Sequence, residues 1–179
     1  MIRAEYTALR QQEVQSDYNV EAGEHTLHGG QWDWFSFISA GQKQEQFREL
    51  CPATTRILEG IPSLMSDIPF AYAFFSALKP GAHIASHCAP MNLRLRCHFP
   101  LYAPEGAGMR VAEESRAWEE GKCTVFDDAY DHEVWHEGSE ERVVLLFDVW
   151  HPELTTSEVG AIQTMFETAM KTPPGQRPG

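Results

Sequence analysis

Basic residues, cysteines and long apolar runs are all scarce in this chain, and each scarcity removes a class of protein. Only 14 Lys and Arg stand against 26 Asp and Glu, a formal net charge of −12. That balance argues against nucleic acid and against an anionic membrane as partners, because both reward basic surfaces. No apolar stretch approaches the length needed to cross a bilayer, and the N-terminal MIRAEYTALRQQEVQSDYNV lacks the apolar core of a signal peptide. The 4 cysteines (Cys51, Cys88, Cys97, Cys123) show no paired metal-binding spacing and are too few for a disulfide framework. A reducing cytoplasm is the simplest setting. Residues 1–30 contain no repeat or low-complexity tract, and 179 residues predict one domain with a substantial core.

Two stretches concentrate what chemistry the chain has. The first, LKPGAHIASHCAPMNLRLRCHFPL (Leu78–Leu101), sets His87, Asn92, Arg94, Arg96 and His98 among Leu, Ile, Phe and Pro. Strand side chains alternate between faces, so a strand over Leu93–Leu101 puts Arg94, Arg96 and His98 on one face and Leu93, Leu95, Cys97 and Phe99 on the other. A plain surface strand can carry such cations, and the pattern alone is weak. The second stretch runs from Thr124 to Leu154. Thr124–Phe126 and Val143–Trp150 read as buried strands, and Asp127, Asp128, Asp131, His132 and Glu133 lie between them. His132 follows His87 by 45 positions and Arg142 follows His132 by 10. Two strand-borne histidines with an arginine just beyond suit a redox metal chelated by an organic acid whose carboxylate the arginine holds.

The remaining pattern predicts an all-β core with flanking helices. Residues 1–30 read as a loose N-terminal arm or short strand, its His25 and His28 solvated. Trp32–Ser39 is a compact aromatic strand, Gln42–Leu50 a short polar helix, and Ala53–Gly60 a helix with Pro52 near its first turn. Strands follow at Tyr72–Leu78, His83–Ser86, Leu93–Leu101, Met109–Ala112, Cys123–Phe126, His132–Trp135 and Arg142–Trp150. Such short strands, broken by Gly and Pro turns such as Lys79–Gly81, favour a sandwich or barrel. Thr156–Lys171 has Val159, Ile162, Met165, Phe166 and Met170 at helical spacing, with Thr156 or Ser157 as the N-cap. Residues 31–171 form the domain, and 172–179 read as a disordered tail.

Three motifs carry a family resemblance: FFSALKPGAHIASHCAPMNLRLRCHFPL (Phe74–Leu101), WEEGKCTVFDDAYDHEVWHEG (Trp118–Gly138) and RVVLLFDVWHPEL (Arg142–Leu154). The chain resembles the aspartyl/asparaginyl β-hydroxylase family of Fe(II)- and 2-oxoglutarate-dependent oxygenases, over roughly Gly29 to Leu154. The resemblance implies a double-stranded β-helix (jelly roll, cupin-like) backed by a helical layer from the first third of the chain. It also implies iron held by His87 and His132 alone. Most such oxygenases add a carboxylate two residues after the first histidine. Here that position is Ala89, and the family works with a small residue there and water at the metal.

The same resemblance distributes the other residues. Arg142 and the Ser76 hydroxyl would hold the remote carboxylate of 2-oxoglutarate, a guanidinium being a planar fork suited to it. Arg96 and His98 would steady its metal-chelating end. Arg94, with Asn92, would face the substrate, the plainer alternative for Arg94 being pairing with Asp127 or Asp128. From the residues themselves, Asp128 reads as orienting a ligand histidine, and as the first alternative to water at the metal; Cys88 reads as a small packing residue open to oxidation, and His136 and His151 as structural. The implied reaction consumes O2 and 2-oxoglutarate and hydroxylates an unactivated carbon, the β-carbon of an Asp or Asn residue or of a related small acid. The partner is then a small molecule or peptide. The rivals are a 2-oxoglutarate-dependent halogenase, since Ala89 leaves room for chloride, and a non-enzymatic jelly-roll binding module. Intact His87, His132, Arg96, His98 and Arg142 count against the second.

Overall fold

Alternation of large apolar side chains along three strands, broken only at the Phe37–Ile38 irregularity, divides the core into two clusters, one on each face of a single sheet. The computed structural model describes residues 1–18 and 27–171; the expectations for His25 and for the tail at 172–179 fall outside them, as does the side chain of His28. Its strands are β1 (Leu27–Gly29), β2 (Trp32–Ser39), β3 (Gln42–Lys43), β4 (Ala73–Leu78), β5 (His83–His87), β6 (Arg94–Tyr102), β7 (Ala107–Val111), β8 (Glu114–Arg116), β9 (Thr124–Phe126), β10 (His132–His136) and β11 (Arg142–Trp150). They form a five-stranded sheet in the order β1-β5-β10-β7-β8 and a six-stranded sheet in the order β3-β2-β4-β11-β6-β9, with every recorded pairing antiparallel. The two facing sheets make the expected double-stranded β-helix.

Trp32 and Trp34 on β2, Phe74 on β4 and Val144 and Leu146 on β11 belong to one buried cluster with Ile84, Met109 and Val134 of the five-stranded sheet. Trp34 stacks on Phe74 at 4.1 Å between centroids. The alternate residues Phe35, Phe37, Phe75, Val143 and Leu145 join the second cluster, which helices cover. Those helices are α1 (Ile2–Gln11), α2 (Glu45–Leu50), α3 (Pro52–Glu59) and α4 (Thr156–Lys171). The two inner sheet faces therefore meet each other, and the outer face of the larger sheet meets the helical layer.

Helix α1 corrects the expectation of a loose arm. Its apolar contribution is small, so hydrophobic patterning hid it, yet Tyr6 and Leu9 are buried. Its polar side is also engaged. The Glu5 carboxylate accepts bonds from the backbone N–H groups of Ala53 and Thr54, each at 2.8 Å, and from the Thr54 hydroxyl at 2.6 Å. An acid from one helix thus caps the N-terminus of another, where orphan N–H groups and the helix dipole favour it. The predicted helix over Gln42–Leu50 begins later, because Gln42 and Lys43 first pair with Ser39 and Ile38 as β3. In front of α4 the cap is Thr155: its hydroxyl accepts from the Glu158 N–H at 3.3 Å, and Glu158 accepts from the Thr155 N–H at 2.8 Å, a reciprocal capping box. Val159, Ile162 and Phe166 dock on the core, but Met165 and Met170 are exposed, so the docking face is narrower than the spacing predicts. No helix among the described residues is long and apolar enough to cross a membrane.

Candidate active site

Antiparallel pairing sets the end of β5 against the start of β10, and a histidine stands at each place. His87 and His132 are direct Cα partners, and their rings lie 4.2 Å apart between centroids. Each ring bonds the carbonyl two residues before it, His87 Nδ1 to Ala85 at 2.7 Å and His132 Nδ1 to Tyr130 at 2.8 Å. A carbonyl oxygen only accepts, so Nδ1 carries the proton on both rings and the lone pair is on Nε2. Burial pulls the His132 imidazole down to about 4, which keeps it neutral at physiological pH. Two imidazoles so oriented are suited to a divalent transition metal. Ala89 brings no donor; its N–H bonds the Asp128 carbonyl at 2.7 Å. Among the described residues no set of three or more His, Cys, Asp or Glu side chains converges on one metal position.

The facing wall comes from the six-stranded sheet. Ser76, Arg96, His98 and Arg142 line one cavity with His87 and His132, and Trp32 and Phe126 complete much of its apolar lining. Arg142 is 1% exposed. Its Nη1 donates to the Ser76 carbonyl and hydroxyl oxygens, both at 3.2 Å, and its guanidinium lies 4.8 Å from the Trp118 ring centroid. No carboxylate pairs with it among the described residues, and its Nε–H has no acceptor. Burial lowers this guanidinium to about 9. Ser76 Oγ accepts from Trp32 Nε1 at 2.8 Å as well as from Arg142, which leaves the hydroxyl hydrogen to be donated elsewhere.

His98 shows the same one-sidedness. Trp118 Nε1 donates to its Nδ1 at 3.3 Å, so Nε2 carries the hydrogen, and that buried N–H has no acceptor. Burial, then Arg142 and Arg96, hold this imidazole well below the usual histidine range. Buried donors without acceptors are costly in an apolar interior. Here two of them, on His98 and Arg142, border one cavity beside an unneutralised cation. That donor set fits a bound carboxylate, and the opposite wall fits a metal. The free space between them is about 20 Å³, room for roughly one water molecule, so a larger anion enters only when lining side chains move.

Six of the residues singled out in the sequence are thus brought together: His87, His132, Ser76, Arg96, His98 and Arg142. Asn92 and Arg94 are not among the cavity's lining. Asn92 is exposed before β6. Arg94 is completely buried, its Nη2 lying 2.7 Å and its Nε 2.9 Å from Asp128 Oδ2, and its Nη1 3.5 Å from Asp148. Arg96 joins the same cluster, bonding Asp148 at 2.9 and 3.1 Å and lying 3.4 Å from Asp128. Pairing with Asp128, the plainer alternative for Arg94, is the arrangement observed, because Asp128 and Asp148 together offset the burial of two guanidiniums. Burial alone would raise the Asp128 carboxyl, but Arg96 and Arg94 outweigh it and hold it below its ordinary value.

Sequence reasoning missed Trp118, Asp148 and Arg110. A lone acid within the run VVLLFDVW is a usable signal for Asp148. Nothing in the sequence marks Trp118 as the partner of both His98 and Arg142, or Arg110 as a clamp on the two histidine-bearing strands. Arg110 bonds Glu133 at 2.8 Å, Asp131 at 2.8 Å and Ser86 at 2.9 Å, and Ser86 bonds Asp131 at 2.6 Å. These are chain neighbours of His132 and His87, tied together on the outer side of the sheet.

A family model described as aspartyl/asparaginyl beta-hydroxylase matches residues 1–152. The chain is 38% identical over 140 residues to a mouse aspartate beta-hydroxylase domain-containing protein 2, spanning 76% of this chain and 41% of that protein. It is 39% identical over 136 residues to a mouse aspartyl/asparaginyl beta-hydroxylase, spanning 75% of this chain and 18% of that protein. It therefore spans less than half the length of these curated relatives. A predicted oxalate decarboxylase from Thermotoga maritima superimposes with a TM-score of 0.45 at 12% identity, over 75% of this chain and 100% of that one. With a family model that takes in both site histidines, both walls of the cavity and the first helix, the chain belongs to the aspartyl/asparaginyl β-hydroxylase family.

Proposed function

We propose that this chain is an Fe(II)- and 2-oxoglutarate-dependent dioxygenase that hydroxylates an unactivated carbon, the β-carbon of an Asp or Asn residue or of a related small acid. One observation carries the reading: a pair of imidazoles presenting Nε2 faces a buried guanidinium that has no carboxylate partner, across a single cavity. His87 and His132 would hold the iron, which when bound would supply O2 activation coupled to decarboxylation of 2-oxoglutarate to succinate and CO2.

The chain's own residues do the positioning. Arg142 takes the remote carboxylate of 2-oxoglutarate with charge-assisted bonds, and the Ser76 hydroxyl donates a further one. The His98 Nε2–H donates to the carboxylate at the metal-chelating end, and being neutral it adds no competing charge. Arg96 borders that end from the ion-paired cluster, which fixes its guanidinium. Asp128 joins the ligand loops through its carbonyl to Ala89 and holds Arg94 and Arg96 through its carboxylate. The apolar lining keeps bulk water from the reacting centre.

The test is succinate formation from 2-oxoglutarate by anaerobically purified protein given Fe(II), ascorbate and air, beside His87→Ala. Iron-dependent succinate is expected from the wild type and none from the variant. No succinate, together with no 2-oxoglutarate binding by calorimetry in the presence of a redox-inert metal, would replace the oxygenase with a binding module. The missing donor at Ala89 also admits a halogenase, and product mass with chloride present separates that reaction from hydroxylation.

A further inference from the structure

The inner faces of a β-sandwich become accessible where its outermost strands part. Here β8 ends the five-stranded sheet and β9 ends the six-stranded one, and a cleft of about 300 Å³ opens between β7–β8, β9 and the loop before β10. Its apolar lining includes Met109, Val111, Val125, Phe126 and Tyr130. Among the described residues the only charges on it, Glu114 and Arg116, pair with each other at 2.6 Å and are both largely exposed.

The cleft adjoins the candidate active site. Phe126 lines both spaces. Its ring lies 5.5 Å from His132 and 5.1 Å from His98 between centroids, so it is the partition between them. Val111 is the direct Cα partner of His132 across the β7–β10 ladder, and the Tyr130 carbonyl holds the His132 ring. A molecule seated in the cleft is therefore one side chain away from the metal-binding imidazoles. The cleft's apolar rim is also left to solvent: Val125 is 53% exposed and Tyr130 60%, an arrangement that gains from apolar contact.

We infer that this cleft binds an apolar part of the substrate, an aromatic or branched aliphatic group attached to the acid whose carbon is oxidised. The inference rests on the oxygenase reading for the location of the reacting carbon. The cleft offers a second charged group no free counter-charge among the described residues, because Arg116 is paired with Glu114. Its volume is at the lower end for small-ligand sites and suits one side chain or a short acyl group. Free aspartate and asparagine leave it unfilled, so the preferred substrate is a peptide residue or an N-acylated acid with an apolar neighbour.

The experiment uses the full chain with Zn(II) and 2-oxoglutarate, and compares N-acetyl-aspartate with N-(3-phenylpropionyl)-aspartate by calorimetry. The phenylpropionyl compound is expected to bind at least tenfold more tightly. In Val125→Asp and, separately, Val125→Lys, that ratio should fall toward one while N-acetyl-aspartate affinity stays within about twofold. Thermal melting verifies that each variant is folded. If the aromatic group brings no gain in the wild type, whether both probes bind alike or neither binds, the inference is overturned. A wild type that still forms iron-dependent succinate in that case keeps the oxygenase reading and loses only the cleft. A wild type without succinate loses the oxygenase reading on its own account.

Discussion

Arg94 and Arg96 on β6 face Asp128 and Asp148, two charges against two, whereas Arg142 on the neighbouring strand β11 is equally buried and meets no carboxylate among the described residues. All three lie in one sheet at similar depth, so burial alone does not separate them. Partners do. The charges of this cluster balance within the protein and join β6, β11 and the loop after β9 into one unit, although Asp128 Oδ1 accepts no hydrogen bond. Arg142 Nε–H, like the N–H of His98, has no acceptor among the described residues, and under the proposed function an anion supplies it. A buried charge supplied with partners is architecture, and one denied them is a site.

Breaking the paired half should have the largest effect. Asp148→Asn keeps the shape but leaves two guanidiniums facing one carboxylate, and urea unfolding should register a loss of about 3–5 kcal/mol. Acidification separates the two halves by pH window. His132 falls from its ordinary value to about 4 on folding, so between about 6.5 and 4 the unfolded chain binds more protons than the folded one. Stability of the metal-free protein therefore decreases as pH falls through that window, by up to about 3 kcal/mol for this group. His98, also lowered, acts in the same direction. Asp128 is held below its usual range, so its pairing fails only at still lower pH, and a denaturation profile in two acid stages is the expected result. The smallest change in free energy belongs to the unpaired half. Arg142→Met should weaken 2-oxoglutarate binding about 100-fold, equivalent to about 2.7 kcal/mol, while leaving the melting temperature unchanged or raised. A clear fall in melting temperature would place Arg142 with the architectural arginines.

The sequence made some of this legible and concealed the rest for physical reasons. Period-two alternation was enough to put Arg96 and His98 on one face of β6, since the pleat allows no other outcome once Leu93, Leu95 and Phe99 face away. It could not tell Arg94 from Arg96, because which guanidinium borders a cavity depends on Asp128 and Asp148, which lie far along the chain. The pairing of His87 with His132 likewise depends on register between distant strands, and only the motif resemblance anticipated it. Helix α1 escaped because two buried side chains carry its docking, and Glu5 contributes through a cap that no local pattern displays. The cap of α4, by contrast, is written plainly as Thr155-x-x-Glu158, one residue before the position expected.

That first helix has a reach beyond its own packing. The acid adjoining Arg142 in the chain is Glu141, the obvious internal competitor for any anion that seeks the guanidinium. Tyr6 of α1 donates to it at 2.7 Å, Arg10 of α1 lies 3.7 Å away, and Lys79 holds it at 2.5 Å. Two of these three tethers come from α1. The first eleven residues thus act as a leash on a rival carboxylate, and a chain trimmed of them would carry its own inhibitor one peptide bond from the seat.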